Sequence, residues 1–170
     1  MQIDEWLRWY NIIKDTFHYS IVDDTNASIL LSMMIKGREL SIDALKGCIE
    51  GKDVLIFGAG PSLLQSLHDI IANGIRIDTL TLIACDGASQ ALIEHGIKPD
   101  IVVTDLDGNH EYLLTSDTLG AIMVVHAHAD NVNLIRYMVP KLRNIIATTQ
   151  VKPLHNVYNF GGFTDGDRAV

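Results

Sequence analysis

DVLIFGAGPSL, residues 53–63, is where the chain changes character. Four apolar residues, Val54 to Phe57, run without a polar break into Gly58-Ala59-Gly60-Pro61-Ser62, and a helical pattern over 62–73 follows. An uninterrupted apolar run of this length reads as a strand buried on both faces, because a strand with one wet face alternates. The same design recurs at 80–84, 101–104, 122–125 and 145–148, with helical stretches between. Buried strands alternating with helices predict an α/β fold, a mostly parallel sheet flanked by helices. Ligands of such sheets collect beyond the C-terminal ends of the strands. Each unusual polar cluster of this chain stands at such an end.

Upstream, residues 1–50 read as an N-terminal helical cap on the same unit. Trp6, Trp9, Tyr10, Ile13 and Phe17 recur every three or four residues, which places them on one helix face. A stripe of this kind is core, or an interface with a partner subunit, so a homodimer is a candidate assembly. Two further helices are expected over 26–36, with Gly37 just beyond, and over 41–50, ended by Gly51. Residues 51–170 then form the α/β domain. At its end, GGFTDGDRAV (161–170) reads as a helix start. The chain stops at Val170 before the last helix and strand that would complete such a sheet, so a truncated domain is expected.

With 170 residues, 48% hydrophobic and 20% charged, the chain has the composition of one globular domain with a proper core. Its formal net charge of -8 argues against a nucleic-acid partner, which calls for a basic face. Cys48 and Cys85 stand far apart and form no Cys-x-x-Cys pair, so they read as reduced, buried thiols. The N-terminus MQIDEWLRWY lacks the apolar core of a signal peptide, and the apolar stretch at 29–35 is broken by Ser32 and far too short to span a bilayer. No membrane association is expected, and the cytoplasm is the expected location.

Five clusters carry chemistry. Gly58 to Ser62 lets the backbone turn tightly, with Pro61 suited to a first helical position and free amides that favour phosphate; Gly58, Gly60 and Ser62 are the candidate contacts. A dinucleotide fingerprint wants a third glycine where this chain has Leu63, which disfavours NAD or FAD. Cys85-Asp86-Gly87-Ala88 offers Asp86 to a ribose, a metal or a nucleotide, and Gly87 to close approach. In Asp105-Leu106-Asp107-Gly108 an extended backbone would put both carboxylates on one face, within reach of one cation. Hard oxygens with room for water and phosphate suit magnesium. His126-Ala127-His128-Ala129-Asp130-Asn131 resembles a zinc-hydrolase ligand run, but Asn131 stands where the last ligand belongs. Histidines lining a polar pocket, with Asp130 capping the helix over 131–138, is the preferred reading. Finally, Thr148-Thr149-Gln150 and Gly161-Gly162-Phe163-Thr164-Asp165 present hydroxyls, amides and a carboxylate at the same sheet edge, with helix capping by Thr164 or Asp165 as the plain alternative.

Taken together, GAGPSL at 58–63, CDGASQALIEHGIKPDIVVTDLDGN at 85–109, HAHADN at 126–131, TTQ at 148–150 and NFGGFTDGDRA at 159–169 resemble the archaeal 6-hydroxymethyl-7,8-dihydropterin pyrophosphokinase family, related to thiamine pyrophosphokinases. The resemblance implies a thiamine-pyrophosphokinase-like, Rossmann-like catalytic domain over 51–170 that binds a nucleotide. It also implies transfer of diphosphate from ATP to the hydroxymethyl group of a dihydropterin, with release of AMP, as a 2-amino-4-hydroxy-6-hydroxymethyldihydropteridine diphosphokinase of folate or tetrahydromethanopterin biosynthesis. Under it, Asp86, Asp105 and Asp107 would serve Mg2+, and Thr149, Gln150 and Thr164 would join the glycine turn, Asp86 and Gly87 around ATP. His126, His128 or Asp165 would assist the acceptor hydroxyl. Alternatives from other classes are a thiamine or other small-alcohol pyrophosphokinase, a non-catalytic nucleotide-binding module and a zinc hydrolase.

Overall fold

The computed structural model describes residues 3–170. Three helices open the chain, Ile3–Phe17 (α1), Ile21–Ile35 (α2) and Ile42–Ile49 (α3). Alternating elements follow: Val54–Phe57 (β1), Leu63–Ala72 (α4), Thr81–Cys85 (β2), Ala88–Glu94 (α5), Ile101–Thr104 (β3), His110–Thr118 (α6), Ile122–Ala127 (β4), Val132–Met138 (α7), Ile145–Thr149 (β5), Val157–Tyr158 (β6) and Asp165–Ala169 (α8). All strand pairs are parallel, and the sheet order is β1-β2-β3-β4-β5-β6.

The sequential order has a structural consequence. Parallel crossovers are right-handed, so connections that always step the same way place their helices on one face of the sheet. Accordingly Leu67 of α4, Leu92 of α5, Leu113 of α6 and Ile135 of α7 share one core with Leu82, Val102, Met123 and Ala147. The neighbouring strand residues Ile83, Ile101, Val103, Ile122, Val124 and Ile146 point the other way, where they meet Leu45 and Cys48 of α3 and Ala169 of α8. Both faces are therefore apolar, which is why the strands read as unbroken runs rather than alternating ones.

The N-terminal helices divide between these faces. α2 begins at Ile21, five residues before the expected start, because Ser20 caps it by accepting from the Asp23 amide at 3.2 Å. It sends Ala27, Leu31 and Ile35 into the larger core, whereas α3 lies on the opposite face. The aromatic stripe of α1 separates as well. Trp6 and Tyr10 are buried within this chain, the Trp6 indole donating to the Gln150 carbonyl at 2.8 Å, while Trp9 and Phe17 stay exposed. Trp6 and Tyr10 are thus core residues and do not face a partner subunit. Both cysteines are free, Cys85 buried and Cys48 half-buried. No helix of the described residues is long and apolar enough to cross a membrane.

Candidate active site

Asp86 follows β2, and Asp105 and Asp107 follow β3, the adjacent strand. One carboxylate oxygen from each lies within 4.8 Å of the others. The convergence has a different cause from the one expected. β3 ends at Thr104, and Leu106 is not extended but left-handed, with φ 74°. A non-glycine residue holds that conformation only when its surroundings impose it. Here the Leu106 side chain is fully buried and its amide donates to the Thr104 hydroxyl at 2.8 Å. Asp86 is also left-handed, with φ 39°. The Thr104 hydroxyl donates to Asp86 Oδ1, so one buried threonine links the two strained turns.

Glycine is required at the next step. A Cβ on Gly108 would collide with the Asp86 carboxylate, and one on Gly87 would touch the Ala59 methyl at 3.6 Å. The turn of Gly58 and Gly60 is therefore packed beside Gly87, next to the acid cluster. It is exposed, and Ser62 makes no side-chain capping bond at the start of α4.

The histidines take separate places. His128 accepts from the Asp130 amide through Nδ1 (3.3 Å), which leaves Nε2–H to donate to Asp105 Oδ2 at 3.3 Å. The helical turn after β4 is capped by His128 and Asn131, whose Oδ1 accepts from the His128 amide. Asp130 projects outward, 84% exposed, and is not the cap. The His128 imidazole thus satisfies the orphan amide that a capping carboxylate would have taken. The amide of Asn131 donates to the Asp105 and His126 carbonyls, both at 2.7 Å, and so ties the β3 and β4 ends together. His126 is only 1% exposed and lies behind His128, not in the cavity that His128 lines. Its Nδ1 donates to Thr148 Oγ1 at 3.1 Å, and burial holds it well below the usual imidazole range.

α8 closes the site. Gly162, at φ 82°, lies so close to Arg168 N that a Cβ would come within 2.7 Å of it. Thr164 is occupied as the N-cap, accepting from the Asp167 amide at 3.2 Å. Asp165 is mostly buried and accepts from Arg168 Nη1 at 2.9 Å. Of the predicted edge residues, Thr149 is buried against Ser28 of α2, whereas Gln150 reaches a cavity beside Asp105 and donates to Asp24 at 2.8 Å.

The electrostatics mark a site short of positive charge. Burial pushes Asp165 up to about 7, helped by the charge of Asp105 and opposed by Arg168. Desolvation, then the hydrogen bond and charge of Asp105 and the charge of Asp86, push Asp107 up to about 6, although the residue as a whole is exposed. Burial also raises Asp86, against the pull of Thr104. At Asp105 burial raises the carboxyl as well, but its hydrogen bonds with His128 and Asp107 and the His128 charge outweigh it and hold it at about 2. Three oxygen donors that repel one another at this range suit a hard divalent cation.

Thr104, Asp24 and Arg168 carry no local signal of their roles beyond the place of Thr104 at a strand end. Asn131, which the sequence marks only as a missing zinc ligand, proves to be the tie between the β3 and β4 ends.

A family model described as 6-hydroxymethylpterin diphosphokinase MptE-like matches residues 30–170. The chain belongs to this family. It is 43% identical over 171 residues to a protein of Methanothermobacter thermautotrophicus named 6-hydroxymethyl-7,8-dihydropterin pyrophosphokinase, covering 100% of this chain and 72% of that relative. Proteins of the same name from Methanocaldococcus jannaschii (41% over 175 residues, 99% of this chain and 72% of the relative) and Pyrococcus furiosus (43% over 171 residues, 100% and 71%) are similarly related. The family is the one that the motif blocks resemble, and the acid cluster, His128 and α8 all lie inside the matched segment.

Proposed function

We propose that this chain transfers diphosphate from ATP to the hydroxymethyl group of 6-hydroxymethyl-7,8-dihydropterin and releases AMP. Membership of the family supports the pterin acceptor. The observation that carries the reaction type is the packing of Asp86, Asp105 and Asp107 within 4.8 Å beside a glycine turn and two helix starts. In this reading the acceptor hydroxyl oxygen attacks Pβ, the bond from Pβ to the oxygen bridging Pα breaks, that oxygen leaves on AMP, and the hydroxyl proton is released. Such a displacement asks the protein for alignment and charge neutralisation rather than for a covalent nucleophile.

Asp86, Asp105 and Asp107 would hold Mg2+, which supplies charge neutralisation on the phosphates when bound. The amides of the 58–62 turn and of the start of α5 receive phosphate oxygens. His128, fixed by its bonds to the Asp130 amide and Asp105, stands at the edge of the cluster, where it can orient the acceptor hydroxyl. Synthesis of a folate or tetrahydromethanopterin in the cytoplasm would be the setting.

The test is product analysis with ATP, Mg2+ and the reduced pterin. AMP and a pterin diphosphate ester in equal amounts are expected. ADP as the nucleotide product, or equal turnover with thiamine, would overturn the reading.

A further inference from the structure

A cavity of about 200 Å³ opens on the β4–β5 side of the acid cluster. Its walls come from segments far apart in the chain: Tyr19 from the α1–α2 turn, Asp24 from α2, His128 after β4, Gln150 after β5 and Phe163 before α8, with Asp105 among the lining residues. At roughly 30 Å³ per water it holds the volume of about seven waters, the scale of a small two-ring heterocycle.

The lining combines two chemistries. Tyr19 and Phe163 are stacked, with ring centroids 6.0 Å apart and planes at 25°, and Phe17 extends the stack at 5.8 Å and 22°. His18, between Phe17 and Tyr19, has φ 60°, so the two aromatic residues flank a left-handed turn. The polar wall is equally fixed. The Asp24 carboxyl, 2% exposed, accepts from Tyr10 Oη at 2.5 Å, Gln150 Nε2 at 2.8 Å and the Ala129 amide at 2.8 Å. Flat aromatic faces against a pre-set amide suit a planar nitrogen heterocycle with hydrogen-bonding edges.

We infer that this cavity is the acceptor subsite, taking the two-ring, amide-bearing heterocycle against Tyr19 and Phe163, with Gln150 reading its polar edge and Asp105 and His128 facing its hydroxymethyl group. The inference rests on the proposed transfer reaction. In-line displacement puts nucleophile and leaving group on opposite sides of the transferred phosphorus. The phosphate-binding turn lies at the end of β1, the acid cluster at β2 and β3, and the cavity at β4 and β5. The strand order thus sets the two substrates on either side of the cluster, which assigns the cavity to the acceptor and not to the adenine of ATP.

The experiment measures binding of 6-hydroxymethylpterin by its own fluorescence, without ATP, and the KM for ATP in AMP release. The variants are Phe163→Ala, Tyr19→Leu and Phe163→Tyr, with melting temperature followed in each. Tyr19→Leu keeps bulk at a residue already exposed, so it tests the stack where Phe163→Ala disturbs the approach to α8. Phe163→Ala and Tyr19→Leu are expected to weaken pterin binding about tenfold, the effect of one lost stacking partner, with KM for ATP within about twofold of the parent. Phe163→Tyr is expected to restore binding. Unchanged pterin binding in Tyr19→Leu, or a rise in the KM for ATP in place of weakened pterin binding, would overturn the inference. The two readings separate cleanly. Stack-dependent pterin binding by a parent chain that forms no AMP supports the subsite and removes the transfer reaction, whereas AMP formation with stack-independent binding does the reverse.

Discussion

The Thr104 hydroxyl donates to the Asp86 carboxylate across the β2–β3 boundary while accepting from the Leu106 amide, and so joins the two left-handed residues of the site. A valine at 104 would keep the shape and β-branching but remove both bonds. Thr104→Val is expected to cost about 1–3 kcal/mol, since it leaves the Leu106 N–H buried without a partner. It should also lower turnover more than the stability loss explains, because Asp86 is released. Urea melts alongside steady-state AMP release check this.

Asp105→Asn and Asp107→Asn preserve volume and remove a negative ligand each. Each is expected to reduce kcat by about 10²–10³-fold, in line with losing one electrostatic stabiliser at a transition state. Titration calorimetry with Mg2+ and ATP should show weakened cation binding in both. Equal turnover in both variants would remove the cluster from the reaction.

Asp107, raised to about 6, must lose its proton to bind a cation. Mg2+ affinity is therefore expected to be flat above about pH 7 and to fall about tenfold per unit below pH 6, as one proton competes with the metal. Calorimetry at a series of pH values reads the slope directly. Asp107→Asn should make that slope shallower and move it to lower pH, leaving the part that belongs to Asp86.

Asp165 has a folded-state pKa of about 7 against an ordinary value of 3.8. A carboxyl raised in this way adds stability that is fully present below its unfolded pKa and is lost as pH rises through the folded one. Buried His126 acts in the opposite sense below its ordinary 6.5, so the parent's own melting curve mixes the two. The difference between Asp165→Asn and the parent isolates Asp165. In metal-free protein the variant should gain melting temperature relative to the parent between about pH 4 and pH 7, then show a constant difference above pH 7.

Asp24 gathers three donors, from α1, from the residue after β5 and from the turn after β4. Asp24→Ala leaves all three unpaired in a buried setting and is expected to cost about 3 kcal/mol, or about 6–12 °C in melting temperature for a domain of this size. Differential scanning calorimetry tests it. A loss below about 0.5 kcal/mol would mean that Asp24 does not anchor the N-terminal helices.

The strands, their parallel order of burial, the glycine turn and the family were legible from local sequence. Ile101–Thr104 matches the expected run residue for residue, because a strand buried on both faces writes its environment into consecutive positions. Val54–Phe57 matches in extent although, as the edge strand, it buries only Phe57 fully. Val157–Tyr158 left no such record, being two residues long and sustained by pairing with β5. Asp86, Asp105 and Asp107 could be named as candidates from their places after strands, but their common focus depends on the β2–β3 register and on two left-handed residues imposed by Thr104 and by burial of Leu106. Asp24 in α2 looked like one more helix acid. Only the folded chain brings it to Ala129 and Gln150, since contacts between residues over a hundred positions apart are chosen by packing of whole elements and carry no local periodicity.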